Sequence, residues 1–179
     1  HLSLVRQAVA ENDLVVSSVF VNPTQFNEAS DFDRYPRNLD RDAQLLEQAG
    51  CDVLFAPDLK EVYPQTDETV YDLGPIAAEL EGAHRPGHFN GVASVVKRLF
   101  ELCEPDNAYF GLKDYQQYLI IKELVRRYKI AVNIIGCDIS RGSSGLALSS
   151  RNQRLNADEL KIAASLYASL QYANENLGK

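Results

Sequence analysis

Between Tyr109 and Tyr118 the chain reads YFGLKDYQQY, a lysine and an aspartate set between a glycine and paired glutamines. Apolar NAYF runs in and YLIIKELV runs on, so a strand is expected to end near Gly111 and a helix to begin near Asp114. Positions three and four apart on a helix share a face. Lys113, Asp114 and Gln117 can therefore converge on one ligand while Gln116 points elsewhere. A helix start favours anions over cations, so Lys113 makes more sense holding a phosphate than capping the helix. Asp114 has two readings, an N-cap or an acceptor for sugar hydroxyls, and both stand.

Two further stretches carry unusual residues. In NPTQF, Pro23 keeps Asn22 extended and can fix how Gln25 is presented; a polar turn with a solvated glutamine is the alternative. In GLALSSRN, Ser149, Ser150 and Arg151 set two hydroxyls beside a fixed positive charge, which suits phosphate oxygens. Alone, that segment also reads as a flexible serine loop. There is no GxxxxGK[ST] and no GxGxxG, so a nucleotide site must rest on the three loops together. His84 reads as a surface residue and His88 as structural in preference to lining the cleft, and the three histidines lack the spaced partners that zinc requires. His1, taken alone, reads as a cloning remnant.

The elements that would position these residues follow from periodicity. His1 to Ala10 place Leu2, Val5, Ala8 and Val9 on one helical face, and Leu14 to Val21 read as a strand buried on both faces. After the polar segment 22–38 come a helix over Leu39 to Ala49, stopped by Gly50, and a strand over Asp52 to Ala56. Thr69 to Leu73 is a weaker strand, followed by a short helical PIAAEL and the loop EGAHRPGHFN. A helix over Gly91 to Cys103 is expected to bury Val92, Val95, Val96, Leu99 and Leu102. Strand Asn107 to Phe110, helix Asp114 to Tyr128, strand Ala131 to Cys137, loop Asp138 to Arg154 and an amphipathic helix Ala157 to Asn174 complete the chain. Asn156 and Glu159 form a capping pair for the last helix. Strands alternating with helices predict an α/β fold with a doubly wound parallel sheet, Rossmann-like, whose ligands lie at the carboxyl ends of the strands. No internal boundary is evident, so residues 1–179 are taken as one domain, cut short at both ends.

Composition narrows the function. Eighteen basic against twenty-five acidic residues give a net charge of −7, which argues against nucleic-acid coating or membrane-surface binding. Cys51, Cys103 and Cys137 are odd in number, without a CxxC pair, and read as buried free thiols of a reducing, cytoplasmic compartment. The longest apolar run, LVVSSVFV, is too short to span a membrane.

Taken in order, HLSLV, FVNPTQF, RPGHFNGV, FGLKDYQQ and GLALSSRN resemble the pantothenate synthetase (pantoate:beta-alanine ligase) family of HIGH-type nucleotidyltransferases, over essentially the whole chain. The resemblance implies an ATP-dependent condensation of pantoate with beta-alanine through a pantoyl adenylate, releasing AMP and pyrophosphate. It makes His1 the second histidine of the H-x-G-H motif, catalytic with Lys113 and Arg151. It puts Gly111, Leu112, Lys113, Asp114, Ser140, Leu148, Ser149, Ser150 and Arg151 on ATP together with His1, and Gln25 and Gln117 on pantoate. Leu112 stands where the family has glutamate and Ser144 where it has aspartate. Magnesium is implied beside the phosphates, with Asp42 the carboxylate nearest it and Asp40 a poorer choice; both also fit a solvated helix face. A homodimer is implied, and the family's small C-terminal lid domain is largely missing. The alternatives are another adenylyl-transferring nucleotidyltransferase or a noncatalytic ATP-binding fragment.

Overall fold

Leu2, Val5, Ala8 and Val9 repeat at helical spacing, and in the computed structural model they lie in α1 (Leu2–Glu11), with Ala8 buried. The structure describes residues 1–23, 38–65 and 67–177. They fall into two compact units, His1–Cys137 and Asp138–Lys179.

In the first unit, α1 is followed by β1 (Val16–Ser18), α2 (Leu39–Gln48), β2 (Val53–Phe55), α3 (Leu59–Val62), a 3-10 turn (Pro75–Ala78), α4 (Glu81–His84), α5 (His88–Cys103), β3 (Asn107–Gly111), a second 3-10 turn (Leu112–Asp114), α6 (Tyr115–Tyr128) and β4 (Asn133–Cys137). Both strand pairs are parallel: Val16 to Ser18 face Val53 to Phe55, and Asn107 to Gly111 face Asn133 to Cys137. Parallel neighbours need a crossover, and here the crossovers are helical, the α/β arrangement expected from the sequence.

The core gathers Val62, Leu73, Phe89, Val92, Val95, Val96, Phe100, Ile120, Ile121 and Leu124. Each fully buried aliphatic side chain contributes about 1.5–3 kcal/mol. Ile120, Ile121 and Leu124, all fully buried, bind α6 to α5 through this cluster. Helix α2 ends as its sequence implies, with Gly50 at φ 87°, a left-handed conformation that glycine enters without steric cost.

Several expectations are corrected. The strand read over Leu14 to Val21 pairs at three residues only, since β2 offers Val53 to Phe55 before Pro57. It is not buried on both faces, because Val16 is 40% exposed. Among the described residues Thr69 to Leu73 joins no strand; Asn90 stands in for a partner, accepting from Tyr71 N–H and donating to Thr69 O. Residues expected to be loop form α4, and α5 starts three residues early at His88. Leu102 is exposed, and Phe89, Ala93, Ser94 and Phe100 are buried instead. Among the described residues the cysteines form no disulfide, and of the three Cys137 is buried while Cys51 and Cys103 are half-buried.

In the second unit, Arg141 bridges Ala147 across a tight loop, a 3-10 turn spans Ser150–Arg154, and α7 (Ala157–Asn176) follows. Asn156 accepts from Asp158 N–H and Glu159 N–H while Glu159 reaches back to Asn156 N–H, the reciprocal cap expected from the sequence. At Gly145, φ is 81° and a Cβ would fall 2.2 Å from the Tyr167 ring, so only glycine fits. The Arg141 guanidinium lies 4.0 Å from the centroid of that ring.

Candidate active site

The corner between β3 and α6 is built from both sides. Strand β3 ends at Gly111, and Leu112 to Asp114 turn as a 3-10 helix before α6 begins. Leu112 folds back over β4, where a Cβ on Gly136 would meet Leu112 Cδ2 at 2.8 Å. Lys113 then emerges, 39% exposed at its side chain, with Nζ 3.3 Å from Asp114 Oδ1. Asp114 occupies the N-cap position of α6, yet its side chain makes no cap hydrogen bond. The carboxylate lies beside the ammonium instead, so the capping bond is not formed. A lysine and an acceptor side by side can meet a phosphate and a hydroxyl of one ligand.

Helix α1 brings His1 toward this corner. Leu4 Cδ2 lies 4.0 Å from the point where a Gly111 side chain would begin. At the other end of α1, Asn12 donates to Tyr109 Oη at 2.7 Å and accepts from Asn107 Nδ2 at 2.8 Å. The helix thus runs antiparallel to β3, with its start beside the strand's end. His1 is the exposed N-cap residue of α1 and its imidazole makes no cap hydrogen bond. A helix start favours negative charge.

Gln117, half-buried, follows in the first turn of α6. Gln116 points elsewhere, as expected from helical spacing: its amide binds the backbone of Ile76, Glu79 and Glu81. Gln25 lies outside the described residues.

A polar network at Asn22 was not legible in the sequence. Asn22, 3% exposed, donates to Gly91 O at 3.2 Å and accepts from Tyr63 Oη at 3.3 Å. Ser94 donates to Asp67 Oδ2 at 2.6 Å and lies 3.5 Å from Tyr63 Oη. The Ser94 hydroxyl, with Thr69 behind it, draws the Asp67 carboxyl down to about 2. Burial and the Asp67 charge push the Tyr71 phenol up to about 12. Nothing in the sequence pairs Asp67 with Ser94; the signal that was there is Asn22 itself, a polar residue at the end of an apolar run.

In the second unit, Ser149 caps the 3-10 turn through Arg151 N–H at 3.3 Å, and Ser150 opens that turn. Leu148 is exposed and donates its N–H to Ser140 O at 2.9 Å. Asn152 ties the turn to Ala147 O at 2.9 Å. The segment read as a flexible serine loop is therefore a defined turn that presents Ser150 and the exposed Arg151.

For magnesium, the described residues hold no group of three or more His, Cys, Asp or Glu placed to share an ion. Asp40 and Asp42 lie in the first turn of α2, Asp40 exposed and Asp42 half-buried. A single carboxylate fits an ion held mainly by phosphates, and it equally fits a helix start that favours negative charge. A groove of about 490 Å³ lined by Leu73, Ile76, Leu119, Lys122 and Arg126 includes none of the candidate residues. Among the described residues no helix is long and apolar enough to cross a membrane.

Comparison with known proteins points to one family. The family model described as pantoate-beta-alanine ligase matches residues 1–179. A pantothenate synthetase of Porphyromonas gingivalis is 54% identical over 93% of this chain and 59% of its own length. One from Roseiflexus sp. is 52% identical over 98% of this chain and 63% of its own length. The crystal structure of pantothenate synthetase from Thermus thermophilus superposes with a TM-score of 0.94 at 51% identity, covering 99% of this chain and 65% of that one. The pantoate-beta-alanine ligase of Francisella tularensis, complexed with beta-gamma ATP and beta-alanine, gives a TM-score of 0.89 at 45% identity, covering 96% and 66%. The chain thus spans less than two thirds of the length of the curated relatives it matches.

Proposed function

Since the chain belongs to the pantoate-beta-alanine ligase family, we propose that it joins pantoate to beta-alanine with ATP, by way of a pantoyl adenylate. The observation that carries this reading is the β3–α6 corner, where Lys113 and Asp114 are held together and Asp114 caps nothing. The bound beta-gamma ATP and beta-alanine of the Francisella relative support the choice of two of the three substrates.

A carboxylate resists attack by an amine, because its charge repels nucleophiles and its oxygen leaves poorly. In the first step an oxygen of the pantoate carboxylate bonds to the α-phosphorus of ATP, and the bond from that phosphorus to pyrophosphate breaks. In the second, the amine of beta-alanine bonds to the acyl carbon, the bond to the phosphate oxygen breaks, AMP leaves and the amine gives up a proton. Negative charge shifts among the phosphates in the first step, so His1, Lys113 and Arg151 act by fixed electrostatic stabilisation more than by proton transfer.

Gly111, Leu112 and Asp114 meet the nucleotide at the corner. The family resemblance also implies Ser140, Leu148, Ser149 and Ser150 as nucleotide contacts. Gln25 and Gln117 orient pantoate as neutral amides, which leaves the attacking carboxylate its charge. Magnesium, when bound, offsets phosphate charge; Asp42 is the carboxylate here that would reach it, and no step depends on that contact. The enzyme works in the cytoplasm as a homodimer on small molecules, and its net charge of −7 gives it no attraction for nucleic acid.

The test is pantoate-dependent exchange of pyrophosphate into ATP, measured on the protein expressed from its complete reading frame. Exchange that requires pantoate, with Gln25→Ala and Gln117→Ala each raising the pantoate KM, supports the assignment. Unchanged pantoate affinity in both variants, or exchange with a phosphorylated acceptor in place of pantoate, overturns it.

A further inference from the structure

Leu80 has φ 47° and ψ −118°, a left-handed conformation that costs a side-chain-bearing residue and suits glycine. Gly82 N–H donates to Glu79 O at 2.8 Å across it. These dihedrals match the first central position of a type II′ turn, which glycine usually fills. The leucine side chain gains little in return, being 72% exposed. The turn is also tight: a Cβ on Gly82 would fall 2.0 Å from Ala77 O.

Gln116 holds this turn from α6. Its Nε2 donates to Ile76 O at 2.9 Å and to Glu79 O at 2.8 Å, and its Oε1 accepts from Glu81 N–H at 3.1 Å. One side chain thus binds the backbone immediately before and immediately after Leu80. A strained backbone persists only where its surroundings over-determine it, and Gln116 supplies that restraint. The restraint acts in both directions. Gln116 precedes Gln117 in the first turn of α6, so the tie restrains that turn ahead of the buried Ile120, Ile121 and Leu124 and with it the direction in which Gln117 projects. Lys113 and Asp114 lie in the 3-10 turn before α6, whose Leu112 packs over Gly136.

We infer that Gln116 is a positioning residue, which ties the strained turn at Leu80 to the first turn of α6 and so sets Gln117 toward the pantoate subsite. This rests on the function proposed above. Misplacement of a binding group by about 1 Å costs up to about a hundredfold, so loss of the tie is read in kcat/KM for pantoate and spares the KM for ATP.

The experiment is steady-state exchange kinetics on the protein from its complete reading frame, in wild type, Gln116→Met, Leu80→Gly and the double variant. Wild type without pantoate-dependent exchange defeats the functional reading itself. With exchange present, Gln116→Met lowers kcat/KM for pantoate about ten- to a hundredfold and leaves the ATP KM within about twofold. Leu80→Gly alone leaves both constants near wild type. Leu80→Gly added to Gln116→Met recovers much of the loss, because the turn then needs no restraint to keep its shape. A lowered melting temperature with unchanged pantoate kinetics, or equal losses for pantoate and ATP, overturns the inference. Should Gln116→Met not fold, Gln116→Glu keeps the acceptor for Glu81 N–H, loses both donors, and is read by the same two outcomes.

Discussion

Leu112 lies across Gly136, its Cδ2 only 2.8 Å from where a Cβ on that glycine would sit, with Tyr118 Cζ at 3.2 Å from the same point. The glycine on β4 therefore makes room for the residue that immediately precedes Lys113. Gly136→Ala must displace Leu112 or Tyr118, and overpacking of this kind costs about 1–3 kcal/mol. Because Leu112 moves with the 3-10 turn, the KM for ATP is expected to rise several-fold while the pantoate KM changes less. Kinetics in both substrates, beside a denaturation midpoint, separate this outcome from plain destabilisation; an ATP KM equal to wild type would refute it.

Lys113 and Asp114 make a second, paired prediction. Removing one preorganised electrostatic group costs about 10²–10³ in kcat, and Lys113→Met is expected in that range for the adenylation step. Asp114→Ala tests the choice left open by the sequence. An N-cap aspartate is worth about 1 kcal/mol, but this carboxylate makes no cap bond. The variant should lose less than about 0.5 kcal/mol of stability and raise the ATP KM. A loss of a full cap's worth of stability, with ATP binding intact, would restore the capping role.

How far the sequence could be read follows from which forces are local. The signals of four helices are local: apolar periods for α1 and α6, the Gly50 stop for α2 and the Asn156–Glu159 cap for α7. The β3–α6 corner was legible for the same reason. Contacts between distant residues were not: the Ser94 to Asp67 bond, the reach of Gln116 to Glu79 and Glu81, and the pairing of Asn90 with Thr69 and Tyr71 all join separate elements. A short β1 was likewise hidden, because its length depends on what β2 offers beside it. Leu80 was invisible, since nothing in a leucine signals a left-handed backbone.

The reciprocal cap of α7 gives a prediction about stability alone. Asn156 satisfies two N–H groups that the helix start would otherwise leave without partners. Asn156→Ala is expected to destabilise the protein by about 1 kcal/mol, and Asn156→Asp to keep most of the cap. Chemical denaturation of the two variants checks this. Equal midpoints for the alanine variant and wild type would mean that α7 does not unfold with the transition observed.

Asp67 supplies the dependence on pH. Its carboxyl is held at about 2 against an ordinary 3.8, first by the Ser94 hydroxyl and then by Thr69, with burial opposing. A folded-state value below the unfolded one means that the folded protein keeps this group ionised more readily, so its contribution is fully present above about pH 4. The contribution then falls away as pH drops toward about 2, where the folded carboxyl takes up its proton. Asp67→Asn removes the charge and retains the shape. Melting temperatures of wild type and variant should differ by a constant amount from neutral pH to about pH 5 and converge below about pH 4. Because other carboxylates titrate in both proteins, the difference between the two curves isolates Asp67. A gap that stays constant down to pH about 2 would show that the Ser94 bond does not depend on the ionised form.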